Sequence, residues 1–343
     1  MSNPRPFVTA EDIRDALTHI KPAKVAVAYV GKGWSDYLAA DCLEKLELVV
    51  SPTFGSNPRA IEDIMRKIGH ENVYFLDELH AKIYLGKKAA VVGSCNLSDN
   101  GLGDIGRWEV AVLLEDAESL QELEDTFANY KRLAKKQYPD KEAKLNRLRK
   151  LITQWNTAIW HDIIKDESGE APLLRDYESD LYTIHILPYN GTFQYNENIL
   201  DAIIPVVPET YFRDTLALEK GYRIKEGDWL LCWHANDNGS PIRNGKVSWL
   251  HAHHVVPHGA IHDTCTKLVG EAKRRWRTPV SPPFRLKRRN TQTLIRNTLE
   301  LAQFHVLWNA EQRNVKRVND FLAHVRRAQD EALRNQPEAE REF

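Results

Sequence analysis

Over the first 115 residues, short apolar runs rich in β-branched residues alternate with stretches of helical spacing, and this alternation constrains the fold more than any other feature. The runs cover residues 24–30, 46–51, 72–76, 81–85, 89–93 and 110–114, each bounded by turn residues. Between them, residues 10–19 and 58–68 carry apolar side chains at three- and four-residue intervals, with Thr9 and Ser56 placed near helix starts. Runs that are apolar throughout suit strands covered on both faces. Residues 1–115 are therefore expected to form an α/β domain.

From residue 116 to 165 the pattern changes to Leu120, Leu123, Phe127, Tyr130 and Leu133, and then Leu145, Leu148, Leu151, Ile152, Trp155 and Ile159. This is the spacing of a helical hairpin, broken near Tyr138-Pro139-Asp140 because proline forfeits a helix hydrogen bond. It serves as a helical connector. Residues 166–180 read as a polar linker. Residues 181–258 alternate strand-like runs with Asn-Gly turns, which predicts a β-rich unit built from hairpins and a candidate for nucleic-acid recognition. The remainder, 266–343, is expected to be a basic helical region, with Leu294, Leu299, Phe304, Leu307, Val315, Val318, Leu322 and Val325 on its apolar side. The first unit is not repeated.

At 343 residues the chain suits two or three domains. Its net charge of −1 conceals an asymmetry: 17 Lys or Arg face 9 Asp or Glu from residue 266 onward, against 13 and 16 in the first 115. Such local imbalance points to a polyanion partner. The densest stretch, 273–290, holds eight cations and no acid: Lys273, Arg274, Arg275, Arg277, Arg285, Lys287, Arg288 and Arg289, with Trp276 and Phe284 interleaved. Cations neutralise phosphates and aromatics stack on bases, so these residues, Trp276 included, are candidate nucleic-acid contacts; a solvated, proline-stiffened linker is the plainer alternative. Cys42, Cys95, Cys232 and Cys265 lie far apart without a CxxC pair, which fits reduced thiols in a cytoplasm. Neither a secretory pattern nor an apolar stretch of about 20 residues is found, so no membrane is expected.

The chemistry is concentrated in residues 79–101, LHAKIYLGKKAAVVGSCNLSDNG. On a strand, His80 and Lys82 project from one face and can meet one phosphate. The next run ends in Gly93-Ser94-Cys95-Asn96, where glycine permits close backbone approach and Ser94 and Asn96 offer short hydrogen-bonding side chains. Gly31-Lys32-Gly33 lacks the spacing of a nucleotide-binding loop, but it follows the first strand and is placed to line the cleft beyond it.

His80-x-Lys82 followed by Gly93-Ser94-x-Asn96 resembles the HKD motif of the phospholipase D superfamily, and HAKIY with Glu109 downstream is similar to its nucleases, including metal-independent restriction endonucleases. The family's aspartate five residues after the lysine is Lys87 here. The resemblance implies a mixed sheet flanked by helices, no cofactor and no metal. It makes His80 the nucleophile that forms a phosphohistidine, with Lys82, Ser94 and Asn96 binding the non-bridging oxygens and Glu109 orienting an imidazole. The chain holds a single HxK motif with a GSxN turn, so the second imidazole is expected from another copy, in a homodimer sharing one active site. The partners so implied are nucleic acid, DNA above RNA, and a partner protein of a defence system against foreign DNA.

Two other functions compete. A lipid phosphodiesterase or transferase would use the same histidine but usually carries both motifs in one chain, and Lys87 raises the case of a catalytically silent binding module. In LHAHHVVPHGAIHDTC, His251 and His253 share a strand face and offer a metal pair with His234 or Cys265, without a complete ligand set of recognised spacing. Trp229, Trp233 and Trp249 read as core of the β-rich unit rather than as base platforms.

Overall fold

The computed structural model describes residues 6–104, 108–160, 171–177, 181–189, 194–199, 214–219, 222–261, 265–271, 281–286, 289–308 and 315–334. They fall into two compact units, Met1–Gly169 and Glu170–Phe343.

The first unit is built on a seven-stranded sheet in the order β1-β7-β6-β5-β2-β3-β4. The strands are β1 (Pro6–Phe7), β2 (Lys24–Val27), β3 (Glu47–Val50), β4 (Val73–Phe75), β5 (Lys82–Leu85), β6 (Ala90–Gly93) and β7 (Ala111–Leu114). β2, β3 and β4 run parallel, whereas β5, β6, β7 and β1 pair antiparallel. This is the mixed α/β sheet that the apolar runs called for. Val25, Ala26, Val27, Leu48, Val49 and Val50 are wholly buried, as strands covered on both faces must be.

Helix α1 (Ala10–Ile20) starts where Thr9 accepts a hydrogen bond from the Asp12 amide. After α2 (Ala40–Leu43), α3 (Pro58–Ile68) is capped by Asn57, which accepts from the amides of Arg59 and Ala60, and not by Ser56. The Ser56 hydroxyl is buried and donates to the Ser51 carbonyl at 2.7 Å, which removes it from the cap. The short α4 (Asp99–Leu102) follows β6. Helices α5 (Ala117–Gln137) and α6 (Lys141–Trp160) are the expected hairpin, broken at Tyr138-Pro139-Asp140. α5 buries Phe127 and Ala134 against Tyr74, Ile83 and Leu85, so the hairpin belongs to the same compact unit as the sheet. Asp77 receives Tyr138 Oη and Arg147 Nε at 3.0 and 3.2 Å, which holds the hairpin bend.

Among the described residues, the second unit has three small sheets. They comprise β8 (Ile184–Tyr189), β9 (Gln194–Tyr195), β10 (Asp214–Glu219), β11 (Trp229–His234), β12 (Val247–His251), β13 (His254–Pro257), β14 (Ala260–Ile261) and β15 (Cys265–Glu271). Two expectations change here. β8 pairs with β11 in parallel, so that contact is not a hairpin. Residues 265–271, expected at the start of a basic helical region, are strand β15, paired on one side with β10 and on the other with β13. The helices Arg289–Leu299 and Val315–Arg334 follow, and Ile295, Leu299, Val318, Phe321 and Val325 close one core with Trp229, Trp233 and Phe284.

Candidate active site

The carboxyl ends of β2 and β6 and the amino end of β5 meet at one edge of the first sheet, because β5 is antiparallel to both neighbours. In open sheets with parallel strands, this carboxyl edge is where ligands bind, since departing loops leave a crevice there. His80, Lys82, Ser94 and Asn96 all lie at that edge.

Lys82 is the first residue of β5 and only 8% exposed. Its ammonium donates to the His80 carbonyl at 2.8 Å and lies 3.3 and 3.4 Å from Nδ1 and Nε2 of the His80 ring. The near-equal distances leave neither ring nitrogen committed to it. Burial lowers the Lys82 pKa from its ordinary value, opposed by the charge of Glu109 and by Cys95. His80 itself is exposed, with the Tyr29 ring edge-on at 6.3 Å.

Asn96 is fixed through its carbonyl. Oδ1 accepts from the Tyr29 amide at 3.0 Å, so the remaining donor of the side chain is Nδ2. Beside it, the Gly31 amide donates to the Leu97 carbonyl at 2.9 Å. A Cβ on Gly31 would stand 2.5 Å from that of Ser98, so glycine is what lets these two loops touch. Gly31 therefore lines this edge, as its place after the first strand suggested. Cys95 is buried, and burial pushes its thiol up to about 12, leaving it inert.

Ser94 and Glu109 are together but differently employed from the expectation. The Ser94 hydroxyl donates to Glu109 Oε2, and Ser94 Oγ accepts the Val110 amide at 3.0 Å. Among the described residues, the His80 ring contacts Lys82 and Tyr29, so within one chain Glu109 holds Ser94 rather than an imidazole. Lys87 sits in the exposed β5–β6 turn, at the far end of the strand from His80. Seven residues at about 3.3 Å each put it on the order of 20 Å away. The change from aspartate thus removes no group from the reacting edge.

Of the candidate nucleic-acid contacts, Lys273, Arg274, Arg275, Trp276, Arg277, Lys287 and Arg288 lie outside the described residues. Arg289 opens the helix Arg289–Leu299. Arg285 ties two segments of the second unit together, since its Nε donates to the Ala171 carbonyl and its amide to that of Pro172. Phe284 is 0% exposed against Trp249 and Tyr177, with ring centroids at 4.8 and 5.4 Å, so it is core and not a stacking platform. Trp229 and Trp233 are likewise buried. His251 Nδ1 and His253 Nε2 are 3.0 Å apart; burial brings His251 down to about 4 and His253 lower still. Among the described residues, no three His, Cys, Asp or Glu side chains are arranged to hold a metal. No described helix is long and apolar enough to cross a membrane. The sequence reading missed Tyr29, for which an aromatic at the end of the otherwise aliphatic run 24–30 was the available signal.

No family model matches this sequence, and no curated protein does. Solved structures give partial matches. NucT from Helicobacter pylori is 14% identical over 37% of this chain and 94% of its own, with a TM-score of 0.31. Nuc from Salmonella typhimurium, a phospholipase D family member, is 17% identical over 37% and 96%, at 0.27. TrmBL2, an archaeal chromatin protein with a novel mode of DNA binding, is 12% identical over 38% and 53%, at 0.26.

The buried ammonium gives a pH signature. With the folded pKa of Lys82 below its ordinary 10.5, the unfolded chain holds one more proton in the interval between them. Stability therefore rises with pH across that interval. The stability of the wild-type chain relative to Lys82→Met should climb as pH rises toward 10.5 and be flat below the folded pKa. Urea unfolding of both proteins across this range measures it; parallel curves would mean that Lys82 titrates as a solvated lysine.

Proposed function

We propose that the chain is a phosphodiesterase of the phospholipase D type acting as a metal-independent nuclease, with DNA as the first substrate to test. One observation carries this: an exposed imidazole, a buried ammonium and an oriented amide donor converge at the carboxyl edge of one sheet. His80 attacks phosphorus, a P–N bond forms, and the P–O bond to the leaving oxygen breaks as a second imidazole gives that oxygen its proton. Water deprotonated by the same second imidazole then cleaves the phosphohistidine and restores His80. Lys82 and Asn96 Nδ2 stabilise the charge that develops on the non-bridging oxygens. Ser94, held by Glu109, sets the outer wall of the site.

The second imidazole is the reason for proposing a homodimer. Among the described residues of the first unit, the other imidazoles are His19, in the last turn of α1 beside the β5–β6 turn, where Ile20 approaches Gly86, and His70, which precedes β4; His161 lies outside the described residues. His19 and His70 are at the opposite edge from His80. A two-fold axis beside His80 supplies the missing group from an identical copy. The basic residues from Lys273 to Arg289 would hold nucleic acid through its phosphates. A role in defence against foreign DNA, with a partner protein, is what the restriction-enzyme resemblance adds to this reading.

Cleavage of labelled DNA should persist in EDTA, because Lys82 and Asn96 supply the charge stabilisation; activity lost in chelator and restored by magnesium or zinc would sink the mechanism. When wild type is mixed with His80→Ala, activity should fall roughly as the square of the wild-type fraction, since each mixed dimer has one histidine where the reaction needs two. A linear fall would place the second acid within the same chain. Replacing Arg274, Arg275, Arg288 and Arg289 with alanine should weaken DNA binding and flatten its salt dependence. An unchanged slope would return this stretch to the status of a linker.

A further inference from the structure

Two exposed aromatic side chains flank the reacting edge, and the mechanism above uses neither. Trp108 is 99% exposed and immediately precedes Glu109, whose carboxylate holds Ser94. Phe54 is 40% exposed in the loop after β3. Its ring meets the largely buried Trp155 of α6 at 5.6 Å in a tilted contact, and the rest of it stays exposed. The next residue, Gly55, lies so close to Tyr29 that a Cβ there would come within 2.4 Å of its ring, and the Tyr29 ring is the one that meets His80 edge-on.

The sheet order turns these facts into a distance. Along the edge, chain segments follow the sequence β7, β6, β5, β2, β3, so Trp108 enters two strands to one side of His80 and Phe54 leaves two strands to the other. With strands spaced about 4.8 Å apart, the strands that lead to the two aromatics lie on the order of 10 Å to either side of β5, the strand that follows His80. A large apolar ring left in water next to a phosphate-directed site calls for an occupant, and a nucleobase presents a flat apolar face of matching size. In a duplex those faces are stacked inside the helix and cannot reach either ring. In a single strand, with its phosphate at His80, the bases on either side are free to turn outward.

We infer that Trp108 and Phe54 are base-stacking platforms on either side of the scissile phosphate, and that the substrate is single-stranded nucleic acid. This rests on the phosphodiesterase reading and names its substrate class. Stacking contributes roughly 1–3 kcal/mol per base, so each platform accounts for about 5- to 150-fold in binding.

The test uses the full chain with three substrates: a labelled single-stranded oligonucleotide, the same sequence as a blunt duplex, and bis(p-nitrophenyl) phosphate, a diester without bases. The single strand should be cut about tenfold or more faster than the duplex. Trp108→Ala and the milder Phe54→Leu should each lower kcat/KM on the single strand about tenfold more than on the base-free diester. Equal cutting of single strand and duplex, or equal losses on single strand and base-free diester, overturns the inference while leaving the phosphodiesterase reading intact. Silence of the wild type on all three substrates overturns that reading itself. Sedimentation of Trp108→Ala covers one more occupant: Val110, two residues from Trp108, is 49% exposed, and Val8, next to the β1–β7 pairing, is 62% exposed. A shift to monomer with uniform loss on every substrate would show that a second copy covers the indole, and the inference would fall.

Discussion

The reacting edge depends on a tie between loops that leave strands which are not neighbours. β2 and β6 are separated by β5, yet the Tyr29 amide reaches Asn96 Oδ1 and the Gly31 amide reaches the Leu97 carbonyl. The two loops therefore close across the amino end of β5, where His80 and Lys82 emerge. Backbone groups that leave a sheet must find partners, and here they find each other. The same bonds that satisfy them aim the Asn96 amide and hold Tyr29 against the imidazole. A site built this way draws its rigidity from the sheet, since β2 and β5 pair over their whole lengths and β6 pairs with β5 from Ile83 to Leu85.

That arrangement has an energetic cost concentrated in Lys82. Lys82 is only 8% exposed, and the hydration its ammonium loses on burial is what pulls its pKa below the ordinary value. The His80 carbonyl returns one hydrogen bond, and Glu109 acts on it only through space. A cation kept slightly dissatisfied is well prepared for an anion, because an arriving phosphate supplies the charge the protein withholds. The physics that weakens the empty site thus strengthens the filled one.

Much of the first unit was legible in the sequence because short, wholly apolar runs can be satisfied only by a sheet covered on both faces. The spacing of His80 and Lys82 and the GSxN turn were also legible, since they depend on local backbone periodicity. What escaped depends on partners distant in sequence. The bond from the Ser94 hydroxyl to Glu109, between residues 15 apart, had no local signal. The position of Lys87 in the β5–β6 turn, away from His80, was likewise not legible from its spacing to Lys82. Phe284 looked like a stacking residue inside a basic stretch, whereas Trp249 and Tyr177, 35 and 107 residues away, enclose it. In the second unit the Asn-Gly turns suggested hairpins throughout, and the parallel pairing of β8 with β11 has no local signature at all.

Phosphate contacts and base contacts answer different questions at such a site. In the function proposed above, Lys82 and Asn96 would address groups that every nucleotide carries, so they would fix where a strand is cut along its backbone without distinguishing one sequence from another. Aromatic faces add discrimination of another kind, between bases that are free to turn outward and bases that are not. Neither set reads the hydrogen-bonding edges of a base. If the chain prefers particular sequences, that preference has to come from elsewhere than the edge around His80, and the separate core of the second unit, with its own sheets and helices, is where such reading could be added without disturbing the chemistry.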